Sequence, residues 1–237
     1  MMRLDKFVAD AAALTRSEAR KAIKNGAVRF DDKIIKDISF QIDENARILL
    51  NGEEKSYKKY IYIMMNKPQG VVSATEDKKQ KTVLSLLPQS FVRYDLFPAG
   101  RLDIDTVGFL LLTNDGALAH NLLSPNKNTG KTYFVRLEKN ISDEEIESLR
   151  KGVDIGECIT KEAKVERISE NEINLTITEG KFHQIKRMAK AVENSVIYLK
   201  RLSYGSLFLD ESLKEGEYRL LTDDEVRLLC NVYKKMF

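Results

Sequence analysis

The stretch Pro98 to Gly116, PAGRLDIDTVGFLLLTNDG, constrains this chain more than any other. Its apolar run Phe109-Leu110-Leu111-Leu112 is preceded by Gly108 and stopped by Asn114-Asp115-Gly116. A short run of that kind between turn formers predicts a buried strand with a turn behind it. The segment leading into the strand carries Arg101, Asp103 and Asp105, so a core strand anchors a loop that can hold a carboxylate in a fixed place. Two acids and an arginine there suit chemistry, although aspartate is also frequent in loops for the turns its side chain makes.

Bulk properties narrow the setting. A chain of 237 residues has room for one large domain, or a small one and a larger one. Hydrophobic residues at 43% and charged residues at 32% are those of a soluble globular protein. No apolar run nears the roughly 18 residues that span a bilayer, and no leader pattern suggests export, so a cytoplasmic protein without membrane association is expected. Cys158 and Cys230, with only His120 and His183 as companions, are too few and too scattered for a zinc site or a disulfide framework. The net charge of +3 decides nothing about nucleic acid, so the placement of basic residues must.

Leu4, Phe7, Val8, Ala11 and Ala12 share one helix face. Thr15 with Glu18 forms a capping-box pattern that opens a second helix, stopped at Gly26. Arg16, Arg20 and Lys24 recur at i, i+4 and i+8 as a basic edge, with Lys21 beside it. VRFDDKII then predicts a small hairpin, and the polar segment Asn51 to Lys59 reads as a linker. A solvated helix face is the plain reading of that edge. The order of elements, however, resembles the RNA-binding module of ribosomal protein S4, through RLDKF at Arg3 to Phe7, the TRSEARKAI helix and the Gly26-Ala27-Val28 exit. The resemblance implies RNA contacts from Arg3, Arg16, Arg20, Lys21 and Lys24, positioning the protein without reading bases.

Beyond Tyr60 the pattern changes. Strands are predicted for Tyr60 to Met65 (followed by the turn NKPQG), Lys131 to Leu137, Lys161 to Ile168, Asn171 to Thr178 and Val196 to Leu209. Helices are predicted for Thr82 to Leu87, Ala117 to Leu123, from Ser142 to Gly152, and Thr222 to Tyr233. Another begins near Phe182, with Phe182, Ile185, Met188, Ala189 and Val192 on its apolar face and His183, Lys186, Arg187 and Lys190 on a cationic one. The expected architecture is α+β: an S4-like domain at 1–58, then a catalytic domain at 59–237 with a mixed, largely antiparallel sheet and flanking helices.

A carboxylate such as Asp103 can attack a sugar C1′ or steady the oxocarbenium-like charge that develops there. It must be ionised to do so, and Lys186 and Arg101 are the cations available to it. Asp105, two residues along an extended loop, is expected to point elsewhere. A base lifted from RNA loses a few kcal/mol of stacking and pairing, and one aromatic ring such as Tyr133 returns roughly 1–3 kcal/mol. Taken singly, Tyr133 reads as a strand residue, His183 as a helix N-terminal residue and Lys186-Arg187 as a solvated pair.

In combination they resemble pseudouridine synthases of the ribosomal small-subunit family. The motifs are GRLDIDTVGFLLLTNDG, KTY at Lys131 to Tyr133, EGKFHQIKRM at Glu179 to Met188, and NKPQG at Asn66 to Gly70. The resemblance implies isomerisation of an RNA uridine without cofactor or metal, by a monomer acting on 16S rRNA or an assembling small subunit. By the same resemblance Asp103 is catalytic, Arg101 displaces or holds the flipped nucleotide, Tyr133 stacks on uracil, and Lys186 pairs with the aspartate. Arg187 is a further expected RNA contact. Many relatives carry arginine where this chain has Lys186, a point charge instead of a fork. A large-subunit rRNA target, a non-catalytic RNA-binding or ribosome-assembly protein, and a nucleoside or glycoside hydrolase are the competing readings.

Overall fold

The structure, a computed structural model, describes residues 1–12, 14–124 and 127–231. The chain forms two compact units, Met1–Tyr60 and Ile61–Phe237.

In the first unit β1 (Met2–Arg3) leads into α1 (Leu4–Ala12) and α2 (Arg16–Lys24). Leu4, Phe7 and Val8 of α1 are fully buried against Ala19, Ile23, Val28, Ile42 and Ile48. The capping box is present, Thr15 accepting from the Glu18 N–H while Glu18 accepts from the Thr15 N–H. Then follow β2 (Val28–Phe30), β3 (Lys33–Ile34), β4 (Gln41–Ile42), β5 (Arg47–Leu50) and β6 (Glu53–Ser56). β2 and β3 make the expected hairpin, with Asp31 and Asp32 both at positive φ as its tight turn requires. The segment expected to be a linker is no such thing: β6 pairs with β5 from Leu50↔Glu53 to Arg47↔Ser56. Asn51 and Gly52, at φ 53° and 84°, form the turn between them, the Asn-Gly pair favoured by two-residue hairpins. Its charge disguises it, because an edge strand open to solvent tolerates Glu and Lys along its length.

The second unit is built on a nine-stranded sheet among the described residues. Its elements are β7 (Tyr62–Lys67), β8 (Phe97–Pro98), β9 (Val107–Thr113), α3 (Gly116–Leu123), β10 (Lys131–Leu137) and α4 (Asp143–Lys151). They continue with β11 (Lys164–Arg167), β12 (Glu172–Ile177), α5 (Gln184–Ala191), β13 (Val196–Tyr204), β14 (Leu207–Phe208), β15 (Tyr218–Leu220) and α6 (Asp223–Asn231). The order β11-β12-β10-β13-β9-β7-β15 is antiparallel except between β13 and β9. The run in the opening motif is β9, buried along its whole length. Leu110 and Leu112 join one core and Phe109 and Leu111 another, so the two-residue period of a strand feeds apolar side chains to both faces.

Several expectations are corrected. Thr82 to Leu87 holds only a short 3₁₀ turn, Val83–Leu86, and the strand predicted from Lys161 starts at Lys164. The strand predicted to reach Leu209 breaks at Gly205, φ 61°, and folds back as β14. β8 and β15, too short for periodicity to register, are unforeseen. Residues 232 and 233 of the predicted last helix, and the Cys230 side chain, lie outside the described residues; Cys158 is a free thiol.

Candidate active site

The loop between β8 and β9 is tied down by the end of β7 and the residues that follow it. Lys67, at the end of β7 and 0% exposed, places its ammonium among backbone carbonyls: Asp103 at 3.0 Å, Thr106 at 2.9 Å, Pro68 at 3.1 Å and Ile104 at 3.4 Å. Burial pulls its pKa down to about 8, against the opposing pull of Asp105 and Asp103. The Gly70 N–H donates to Ile104, and the Ser73 hydroxyl both donates to the Leu102 carbonyl and accepts from the Leu102 N–H. The NKPQG turn is thus the clamp on the Asp103 loop. Gly108 completes the mount: at φ 100° it lies so close to β13 that a Cβ would stand 2.4 Å from the Arg201 carbonyl oxygen, which only glycine permits.

Held this way, Asp103 faces α5. Lys186 Nζ donates to Asp103 Oδ2 at 3.1 Å and to Asp105 Oδ1 at 2.6 Å. The expectation that Asp105 points elsewhere is overturned, because residues 103–106 form a turn closed by the Thr106 N–H on the Asp103 carbonyl. That turn folds the second acid back onto the same lysine. Burial works against the charge of Lys186, but the two carboxylates outweigh it and its pKa is raised. Burial likewise opposes ionisation of Asp105, and the Lys186 hydrogen bond prevails, lowering its pKa. His183 Nε2 lies 3.6 Å from Asp103 Oδ1.

These groups border a cavity of about 1050 Å³, whose lining includes Arg101, Asp103, Tyr133, His183, Lys186 and Arg201. Tyr133, 8% exposed on β10, belongs to the apolar core beneath. Arg101 is exposed at the margin and pairs with no carboxylate among the described residues. Of the two cations available to Asp103, Lys186 is therefore the one in contact. Phe182 is not on the apolar face of α5: it precedes the helix, is 70% exposed and stacks on His183 with ring centroids 3.8 Å apart. The left-handed backbone of His183, φ 49°, breaks the periodicity that would have carried the helix back to it. Arg187 does not reach the cavity; its guanidinium holds Glu157 at 2.9 Å and the carbonyls of Phe182 and Ile155.

In the first unit, Arg3, Arg16 and Arg20 converge on one acid. Asp5 is 0% exposed and accepts from Arg16 and Arg20 at 3.0 Å each and from Arg3 at 3.2 Å. All three guanidinium-bearing side chains remain about half exposed, and Lys21 and Lys24 are exposed beyond them. Sequence periodicity shows the cations but gives no sign of the acid that gathers them, since Asp5 lies on another helix.

Lys67, Asp5 and Arg201 are residues that pattern reading overlooks, and Asp105 is one that it names but sets aside. Among the described residues no group of three or more His, Cys, Asp or Glu is arranged to hold a metal, and no helix is long and apolar enough to cross a membrane.

Residues 61–191 match the RNA pseudouridylate synthase family and residues 2–48 the S4 domain. A Bacillus subtilis protein described as an uncharacterized RNA pseudouridine synthase is 53% identical over 235 residues, covering 96% of this chain and 98% of the relative. A ribosomal small subunit pseudouridine synthase A of Vibrio cholerae is 45% identical over 227 residues, covering 95% and 98%. The crystal structure of a pseudouridylate synthase superposes with a TM-score of 0.68 at 39% identity, covering 97% of this chain and 100% of that one.

Proposed function

This chain belongs to the RNA pseudouridylate synthase family and carries an S4 domain, and from that premise we propose that it isomerises a uridine of 16S ribosomal RNA through Asp103. Relatives named for the ribosomal small subunit, such as the Vibrio cholerae protein, support the choice of target. The observation that carries the catalytic assignment is the Lys186 ammonium, 3.1 Å from Asp103 Oδ2 at the border of the cavity. The ion pair fixes the direction in which the Asp103 carboxylate points.

Asp103 attacks C1′, or steadies the positive charge there, as the N1–C1′ bond opens. The freed ring stays stacked on Tyr133 and turns, C5 forms the new bond to C1′, and C5 loses its proton while N1 gains one. Arg101, paired with no described carboxylate at the margin, occupies or steadies the place left by the flipped nucleotide. Arg3, Arg16, Arg20, Lys21 and Lys24 contact phosphates and orient the RNA.

The test is release of tritium from 16S and 23S transcripts labelled at uracil C5. Release from 16S RNA without free uracil is the expected result. Release confined to 23S RNA would reassign the target, and free uracil would mark hydrolysis in place of isomerisation.

A further inference from the structure

The cavity also contains two cations, Lys131 and Arg201, that form no salt bridge among the described residues. Arg201 on β13 is 2% exposed; its Nε donates to the Phe109 carbonyl at 2.7 Å, while its buried Nη2 has no hydrogen-bond partner among the described residues. Lys131 on β10 is half-buried and makes no ion pair to a described residue. Both stand over the ring of Tyr204, Lys131 Nζ at 5.5 Å from its centroid and Arg201 Cζ at 5.4 Å. Burial first, then repulsion from Arg201, brings the Lys131 pKa down to about 8 despite Glu179. Glu179 itself is engaged by the Lys161 N–H and by Gln184.

A local irregularity of the backbone assembles this pair. The register of β10 on β13 slips by one residue, so that Tyr133 faces Arg201, Thr132 faces Ser203 and Lys131 faces Tyr204. Leu202 is the extra residue of a bulge. Lys131 and Tyr133, two apart, share a face of β10; without the bulge 201 and 204, three apart, could not both lie opposite them. The same bulge hides Arg201 from pattern reading, since it breaks the alternation of the strand.

A buried guanidinium with an empty hydrogen-bonding position is costly in the free protein, and such an arrangement suits an anion that arrives during the reaction. We propose that Lys131 and Arg201 form the binding site for the uracil ring anion released when the N1–C1′ bond breaks. This rests on the isomerase reading above. The bond's electron pair leaves with N1 and spreads onto the ring carbonyl oxygens, which the two cations hold by charge and hydrogen bonding. The pair then returns through C5 to C1′, so no proton or oxidant is needed at the cleavage step. A backbone phosphate fits this place less well. Arg201 is almost wholly enclosed and lies across from the ring expected to stack on the base, whereas exposed cations at the margin, such as Arg101 and Lys181, are open to phosphates. A delocalised ring anion is also cheaper to dehydrate than a phosphate.

The test is single-turnover kinetics of wild type, Lys131→Met and Lys131→Arg on RNA bearing uridine or 5-fluorouridine at the target. Fluorine stabilises the ring anion by itself, so it should substitute in part for the lysine. Lys131→Met is expected to slow consumption of the uridine substrate by about 10²-fold, with RNA affinity unchanged. The deficit should shrink on 5-fluorouridine RNA, and Lys131→Arg should restore most of the rate. Thermal unfolding of Lys131→Met should occur at or above the wild-type temperature, because no described partner is orphaned. An undiminished rate, an equal deficit on both substrates, or weakened RNA binding at full rate would each overturn the anion site. An inactive wild type would instead overturn the isomerase reading beneath it.

Discussion

The two units solve opposite electrostatic problems with similar parts. In the first, one enclosed acid, Asp5, gathers three arginines whose outer halves stay in solvent. In the second, one half-buried lysine, Lys186, gathers two acids, of which Asp103 borders a cavity. The first cluster keeps an excess of positive charge directed outward, which suits a polyanion bound over a broad surface. The second keeps an excess of negative charge close to one point, which suits an electron-deficient sugar carbon. In each cluster the minority charge organises, and under the proposed function the majority charge is the one offered to the substrate.

Removing the organiser of the second cluster should have the larger effect. Lys186→Met leaves Asp103 and Asp105 repelling each other, and about a 10²-fold loss of single-turnover rate is expected. Lys186→Arg should keep most of the activity, since charge is preserved. A fully active Lys186→Met would break the comparison at its catalytic end.

Removing the organiser of the first should act on stability and binding more than on chemistry. Asp5→Asn is expected to lower stability by about 1–2 kcal/mol in denaturant unfolding, the half-exposed guanidiniums being partly screened by solvent. Burial favours the neutral acid, but hydrogen bonds from Arg3 and Arg20 outweigh it and hold the pKa below its ordinary 3.8. The carboxylate's contribution is therefore full above that value and lost as pH falls through the lower folded pKa. The gap between wild type and Asp5→Asn should narrow below pH 3.8; a constant gap would show that shape, not charge, is what Asp5 supplies.

The smallest effect is expected at the exposed end of the same edge. Neutralising Lys21 and Lys24 together should reduce the logarithmic salt slope of RNA binding by about 0.7 for each phosphate no longer neutralised, without changing the fold. An unaltered slope would mean that these two lysines are merely solvated.

Local elements of the fold are legible in the sequence, whereas groups gathered from remote positions are not. The β9 strand and the Thr15 capping box are local patterns, and local patterns survive in the sequence. Asp5 and Lys67 were silent because what matters is their burial among groups remote in the chain. Asn51-Gly52 was legible as a hairpin turn, but the charge of the strand after it spoke for a linker. Phe182 and Arg201 were masked by single backbone irregularities, a left-handed residue and a bulge, that shift the period on which face assignments depend. Asp105 turned on whether its loop was extended or folded, which a pair of letters does not specify.

Asp103 and Asp105 share one lysine, yet only the first is proposed to meet C1′, and this is where the account is most directly tested. Tritium release from C5-labelled 16S RNA should be compared for wild type, Asp103→Asn and Asp105→Asn, with RNA binding measured alongside. The account predicts that Asp103→Asn binds RNA and releases no tritium, while Asp105→Asn still turns over. Substantial release by Asp103→Asn would contradict it.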